Sequence, residues 1–123
     1  MNTPHRPHRA ASRLASLGFA WRGLRIFLAQ PNARIQCGAA VLVLVLGAWL
    51  GVSPLEWAAL LLAIALVLGA EAMNTALEYV VDLAQPEWHP LARDAKDVAA
   101  AAVLVCSLGA AMVGLVVFVP YLG

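Results

Sequence analysis

At 123 residues, with 63% hydrophobic and only 12% charged residues, the chain is too apolar for an ordinary soluble domain of its size and reads as a small integral membrane protein. The net charge of +1 conceals an asymmetry: Arg6, Arg9, Arg13, Arg22, Arg25 and Arg34 all precede residue 35, whereas all seven acids lie at or after Glu56. Cys37 and Cys106 sit inside apolar runs with no metal-ligand types beside them, so they read as small packing residues and not as a disulfide framework or a metal site.

Residues 1–10 place Pro4, Pro7, His5 and His8 among arginines and are expected to be a disordered basic terminus. No apolar core region follows the early arginines before Trp21 and Arg22, which argues against a cleaved signal. Over residues 11–29, Leu14, Leu17, Trp21, Leu24 and Leu28 recur at steps of three and four with Arg13, Arg22 and Arg25 between them. This pattern predicts a basic amphipathic helix lying on a membrane surface and stopped by Pro31. A first span is expected at about 35–50. Gly51 and Ser53 then form a tight exit, and Ser53-Pro54-Leu55-Glu56 matches a capping box with proline at the first helical position. The second span, 54–83, meets no breaker until Gln85-Pro86. At about 30 residues it would measure roughly 45 Å and overshoot a hydrocarbon core of about 30 Å. A third span is expected at about 94–119. The whole, residues 11–123, reads as one all-α membrane domain.

Basic residues lie in the amino-terminal arm and at Arg93 and Lys96, while the turn at 51–56 has none. The positive-inside rule therefore puts the amino terminus and the 71–97 region in the cytoplasm. Trp49 and Trp57 would mark the opposite interface.

The charged residues of the second span carry the chemistry. Glu71, Asn74, Glu78 and Asp82 follow one another at helical spacing after the apolar run Ala58–Ala70, and positions 71, 74, 75, 78 and 82 share one face. A carboxylate there costs several kcal/mol unless it meets a partner, an ion or water, so such residues are read first as functional. Helix-borne carboxylates with an amide between them, opposite Lys96-Asp97, offer oxygen ligands for a hard divalent ion and a cation for a phosphate. The competing structural reading is a set of interhelical hydrogen bonds holding an oligomer. Asp82 reads as a helix-end carboxylate or an arginine partner, and Thr75 as a helix-surface hydroxyl. No glycine-rich loop precedes Lys96, the chain's only lysine, so the general nucleotide motifs are absent.

Glu71-Ala72-Met73-Asn74-Thr75-Ala76-Leu77-Glu78-Tyr79-Val80-Val81-Asp82 resembles the signature of the prokaryotic integral-membrane diacylglycerol kinase family. His89-Pro90-Leu91-Ala92 and Ala95-Lys96-Asp97 resemble its second block, and Ala20-Trp21-Arg22-Gly23-Leu24 and Asn32-Ala33-Arg34-Ile35 its amino-terminal elements. The resemblance implies a homotrimer in which each chain has a surface helix and three spans, with ATP and Mg2+ used to phosphorylate a lipid alcohol. It implies roles for individual residues as well: Glu71 as general base, Asn74 as an active-site amide, and Glu78 as metal ligand. Lys96 and Asp97 would lie near the nucleotide phosphates, and Glu87, His89 and Arg13 would contact the nucleotide. Gln30 stands where many members have a second metal-binding glutamate, and Gln36 where they often have histidine.

Two substrates fit the family, undecaprenol and diacylglycerol. Glu56-Trp57, Asp82-Leu83, His89-Pro90-Leu91-Ala92 and Gly114–Pro120 look more like the undecaprenol branch, so undecaprenol is the expected acceptor and diacylglycerol the alternative. Membrane lipids are expected as surroundings, and no nucleic-acid partner is expected. The readings from other classes are a small oligomeric transporter and an inactive accessory membrane protein. The acid-free first span and the count of three spans weigh against the transporter.

Overall fold

Four α-helices and a short 3-10 turn make up the computed structural model, which describes residues 12–123: α1 (Ser12–Leu28), α2 (Pro31–Leu50), α3 (Pro54–Ala84), α4 (Pro90–Phe118) and the 3-10 turn Val119–Leu122. The described residues contain no strand. The expectation for residues 1–10 lies outside them. Three helices are long and apolar enough to cross a membrane: α2, α3, and α4 with its 3-10 extension. The protein is thus an all-α, multi-pass membrane protein.

Prolines begin three of the four α-helices. Pro31, Pro54 and Pro90 each occupy the first turn, where the N–H that proline lacks would have had no helical partner and where its fixed φ is already helical. For this reason α2 starts at 31 and α4 at 90, each about four residues before the expected span. Pro31, expected to stop the preceding helix, also begins the next one. At α3 the capping box forms in full: Ser53 Oγ accepts from the Glu56 N–H at 3.2 Å, and the Ser53 N–H donates to Glu56 Oε1 at 3.0 Å.

Two glycines shape the α2–α3 turn. Gly51 takes φ +66 at the C-cap of α2, a left-handed conformation that disfavours side chains, and both its N–H and that of Val52 return to the Gly47 carbonyl. Gly47 packs under Trp57, where a Cβ would meet the indole Cη2 at 2.9 Å. Trp57 therefore does more than mark the interface, because its ring closes the α2–α3 contact over the cluster of Val52, Leu60 and Val117.

Helices α3 and α4 run antiparallel and form the most extensive packing in the chain, joined by the five-residue segment 85–89. Their register is pinned at both ends. Lys96 pairs with Asp82 beside the connecting loop, and at the other end Tyr121 donates to Glu56 Oε1 at 2.7 Å. Most large apolar side chains, among them Leu42, Leu62, Leu104 and Val116, remain exposed on the single chain. That suits a bilayer, where lipid solvates leucine as well as protein does and polar backbone must be satisfied within helices. Along α1, Leu14, Leu17, Phe19 and Trp21 stay exposed and Phe27 is buried. Arg34 Nε donates to the Leu28 carbonyl at 3.0 Å, covering an end of α1 that the helix leaves unpaired.

Candidate active site

Helix α3 builds one half of the site. One stripe runs Leu60, Ile64, Val67, Glu71, Asn74, Glu78 and Asp82, spaced by three or four residues, so one face passes from apolar to acidic within a turn, buried or half-buried as far as Asn74 and exposed at Glu78 and Asp82. Glu71 sits at the change and is 7% exposed, the one buried charged side chain among the described residues. Thr75 Oγ1 donates to the Glu71 carbonyl at 3.1 Å, so this hydroxyl ties back onto the helix. One turn further on, Asn74 Nδ2 donates to Glu78 Oε1 at 3.4 Å, while Asn74 Oδ1 is buried with no hydrogen-bond partner. An acceptor oxygen left unpaired beside a carboxylate is a costly arrangement in the absence of a ligand.

The second half is the α3–α4 loop. A cavity of about 280 Å³ opens there, and its lining includes Glu87, His89, Lys96 and Asp97 together with Asp82 and Arg93. His89 is the N-cap of α4, with Nδ1 accepting from the Leu91 N–H at 3.1 Å. With Nδ1 used as an acceptor, the neutral imidazole carries its proton on Nε2. Arg93 pairs with Asp94 at 3.0 Å.

The expected site residues thus fall into two neighbouring groups, Glu71, Asn74 and Glu78 on α3 and Glu87, His89, Lys96 and Asp97 around the loop. Gln30, the N-cap residue of α2, donates through Nε2 to the hydroxyl of Tyr79, the residue after Glu78, at 3.5 Å. Arg13 is exposed on α1 and does not line the loop cavity. Asp82 shares the stripe of Glu71 and Glu78 and is expected as a helix-end carboxylate or an arginine partner. It pairs with Lys96 and not with an arginine, and the available signal was its position one turn past Glu78 on the same face. An apolar cavity of about 330 Å³ between α2, α3 and α4 ends at Val67 and Leu68, one turn short of Glu71. Its polar lining is Gln36 and Ser107, and the Ser107 hydroxyl is buried without a partner.

Among the described residues, no three His, Cys, Asp or Glu side chains converge to hold a metal. Magnesium does not need such a cage, because it keeps waters and takes one or two protein oxygens beside substrate phosphates. Glu78 with the unpaired Asn74 Oδ1 fits that demand.

Comparison with known proteins places this geometry in context. Residues 18–118 match the family model described as prokaryotic diacylglycerol kinase. The chain is 40% identical over 93 residues to the undecaprenol kinase of Bacillus subtilis (strain 168), covering 76% of each protein. It is 38% identical over 93 residues to the diacylglycerol kinase of Escherichia coli (strain K12), covering 75% of this chain and 76% of that one. To the diacylglycerol kinase of Synechocystis sp. it is 40% identical over 107 residues, covering 85% of this chain and 61% of the relative.

Proposed function

The chain belongs to the prokaryotic diacylglycerol kinase family of membrane lipid kinases, with ATP as co-substrate, and from that premise we propose that it phosphorylates undecaprenol to undecaprenyl phosphate. The observation that carries the reading is the buried Glu71 at the apolar-to-acidic change of α3, with the charged loop cavity beginning at Asp82, about three helical turns further along the same face. A lipid alcohol needs that adjacency: its chain stays in the apolar region, with the 330 Å³ cavity one turn from Glu71 as room for it, and its hydroxyl meets the carboxylate.

In the reaction the lipid hydroxyl oxygen forms a bond to the γ-phosphorus, the bond from that phosphorus to the β,γ-bridging oxygen breaks, and ADP leaves. Glu71 takes the hydroxyl proton as general base. Asn74 orients the acceptor and, with Glu78 and in part Gln30, would hold magnesium. When bound, that ion offsets charge on the phosphate oxygens. Lys96 places its ammonium on the phosphates, while Asp97, Glu87 and the His89 Nε2–H, with Arg13 from α1, contact the nucleotide. The arginines before residue 35 and the basic pair Arg93 and Lys96 support a cytoplasmic site at the bacterial inner membrane. The homotrimer is the assembly that the family resemblance implies.

The relatives named for undecaprenol and for diacylglycerol are about equally identical, so the choice rests on His89-Pro90-Leu91-Ala92 and the stretch Gly114–Pro120. Diacylglycerol is the second reading. Specificity constants for both lipids, measured with labelled ATP in one detergent system, decide between them. Undecaprenol is expected to be preferred; a clear diacylglycerol preference would replace the substrate and leave the kinase. Native mass spectrometry of the same preparation should give trimers, and monomers or dimers alone would remove that assembly.

A further inference from the structure

Lys96 is the only lysine in the chain, and its ammonium pairs with the Asp82 carboxylate across 14 residues of sequence, from the last turn of α3 to the second turn of α4. Both residues line the loop cavity. We propose that Asp82 is a positioning residue for nucleotide binding: it holds Lys96 over the loop cavity in the orientation that receives the polyphosphate. This rests on the kinase reading and deepens it.

The physical case starts from what a lysine costs to use. Its four-carbon stem gives the ammonium many positions, and freezing that freedom on binding is a penalty charged against nucleotide affinity. An ion pair formed in advance removes part of it. The pair is half-exposed, with side-chain exposures of 39% for Lys96 and 62% for Asp82, so it is weak and screened. Weakness suits the role, because a polyphosphate can draw on the ammonium without first breaking a strong bond. An ammonium has three donors, so Lys96 can keep Asp82 on one and offer the others to phosphate oxygens. Geometry supplies the direction. Asp82 stands one helical turn past Glu78 on the same face of α3, so anchoring Lys96 there places a cation beside the carboxylate proposed to hold the metal. Of the other charged groups around the cavity, Arg93 is engaged by Asp94, and among the described residues Lys96 forms its ion pair with Asp82 and not with the carboxylates of Glu87 or Asp97.

The test is a double-mutant cycle read by nucleotide binding. Calorimetry with magnesium and an ATP analogue whose γ-phosphoryl cannot transfer is run on the full-length wild type, Asp82→Asn, Lys96→Ala and the double variant. Asp82→Asn should weaken binding roughly three- to tenfold, the share of a lysine's rotamer freedom that a half-exposed pair restrains. In the Lys96→Ala background the same substitution should change binding less than about twofold, since contacts acting through one group do not add. Asp82→Glu, which keeps the carboxylate, should restore most of the affinity. In turnover assays, Asp82→Asn should raise KM for ATP and leave KM for the lipid unmoved. Tighter binding by Asp82→Asn would show that Asp82 competes with phosphate for the lysine and overturn the proposal. An equal loss in both backgrounds would make Asp82 merely structural and overturn it too. In both cases the kinase reading stands, whereas a wild type that binds no nucleotide would remove both.

Discussion

Glu71→Gln isolates the proton-accepting role from everything else the side chain does. Glutamine has the same shape, so the stripe that buries Glu71 between Val67 and Asn74 keeps its packing, and the Thr75 hydroxyl keeps its bond to the backbone carbonyl of residue 71. Burying a neutral amide also costs less than burying a carboxylate at 7% exposure, so the variant should be at least as resistant to heat as the parent. What is removed is the base. General-base assistance contributes about 10²- to 10⁴-fold, equal to roughly 3–5 kcal/mol of barrier. Turnover should therefore fall by at least about 10²-fold while KM for ATP moves less than about twofold, because the nucleotide residues lie a turn or more away around the loop. Steady-state kinetics with labelled ATP, alongside thermal unfolding in the same detergent, reads both arms. A folded Glu71→Gln protein with turnover within about threefold of wild type would reduce Glu71 to a buried hydrogen-bonding residue and refute the base assignment.

The metal assignment predicts that Glu78→Gln loses transfer at ordinary magnesium; unaltered magnesium dependence would dismiss Glu78 as a ligand. Gln30→Glu should lower the magnesium concentration for half-maximal activity by roughly three- to tenfold, since a carboxylate is the better hard-ion ligand and can accept from the Tyr79 hydroxyl to which Gln30 Nε2 now donates. An unchanged requirement would place residue 30 outside the metal's reach. At the other end of the bundle, Gly47→Ala drives a methyl against the Trp57 ring at 2.9 Å and should destabilise the protein by about 1–3 kcal/mol, measured by thermal or denaturant unfolding. Gly47→Ala with wild-type stability would show that the indole can swing away without loss.

Much of this protein was determined by its sequence alone, because the relevant forces are local or one-dimensional. The spans follow from runs of apolar residues long enough to cross hydrocarbon, and the start of α3 follows from Ser53-Pro54-Leu55-Glu56, whose partners lie within one turn. The acidic stripe of α3 was likewise legible, since helical periodicity alone puts Glu71, Asn74 and Glu78 on one face. Only the tertiary structure decided what that face meets. Antiparallel packing of α3 and α4 brings Lys96 to Asp82 and Tyr121 to Glu56, pairs separated by 14 and 65 residues that no spacing rule connects. It makes Glu71 a buried residue and Glu78 an exposed one, although both belong to the same stripe. It also turns Gly47 from an unremarked helix residue into a site of close approach. Side-chain pairing across helices depends on register, and register is set by where each helix starts. Pro31 and Pro90 moved those starts by about four residues, more than a full turn, by beginning helices that the apolar pattern alone would have begun later.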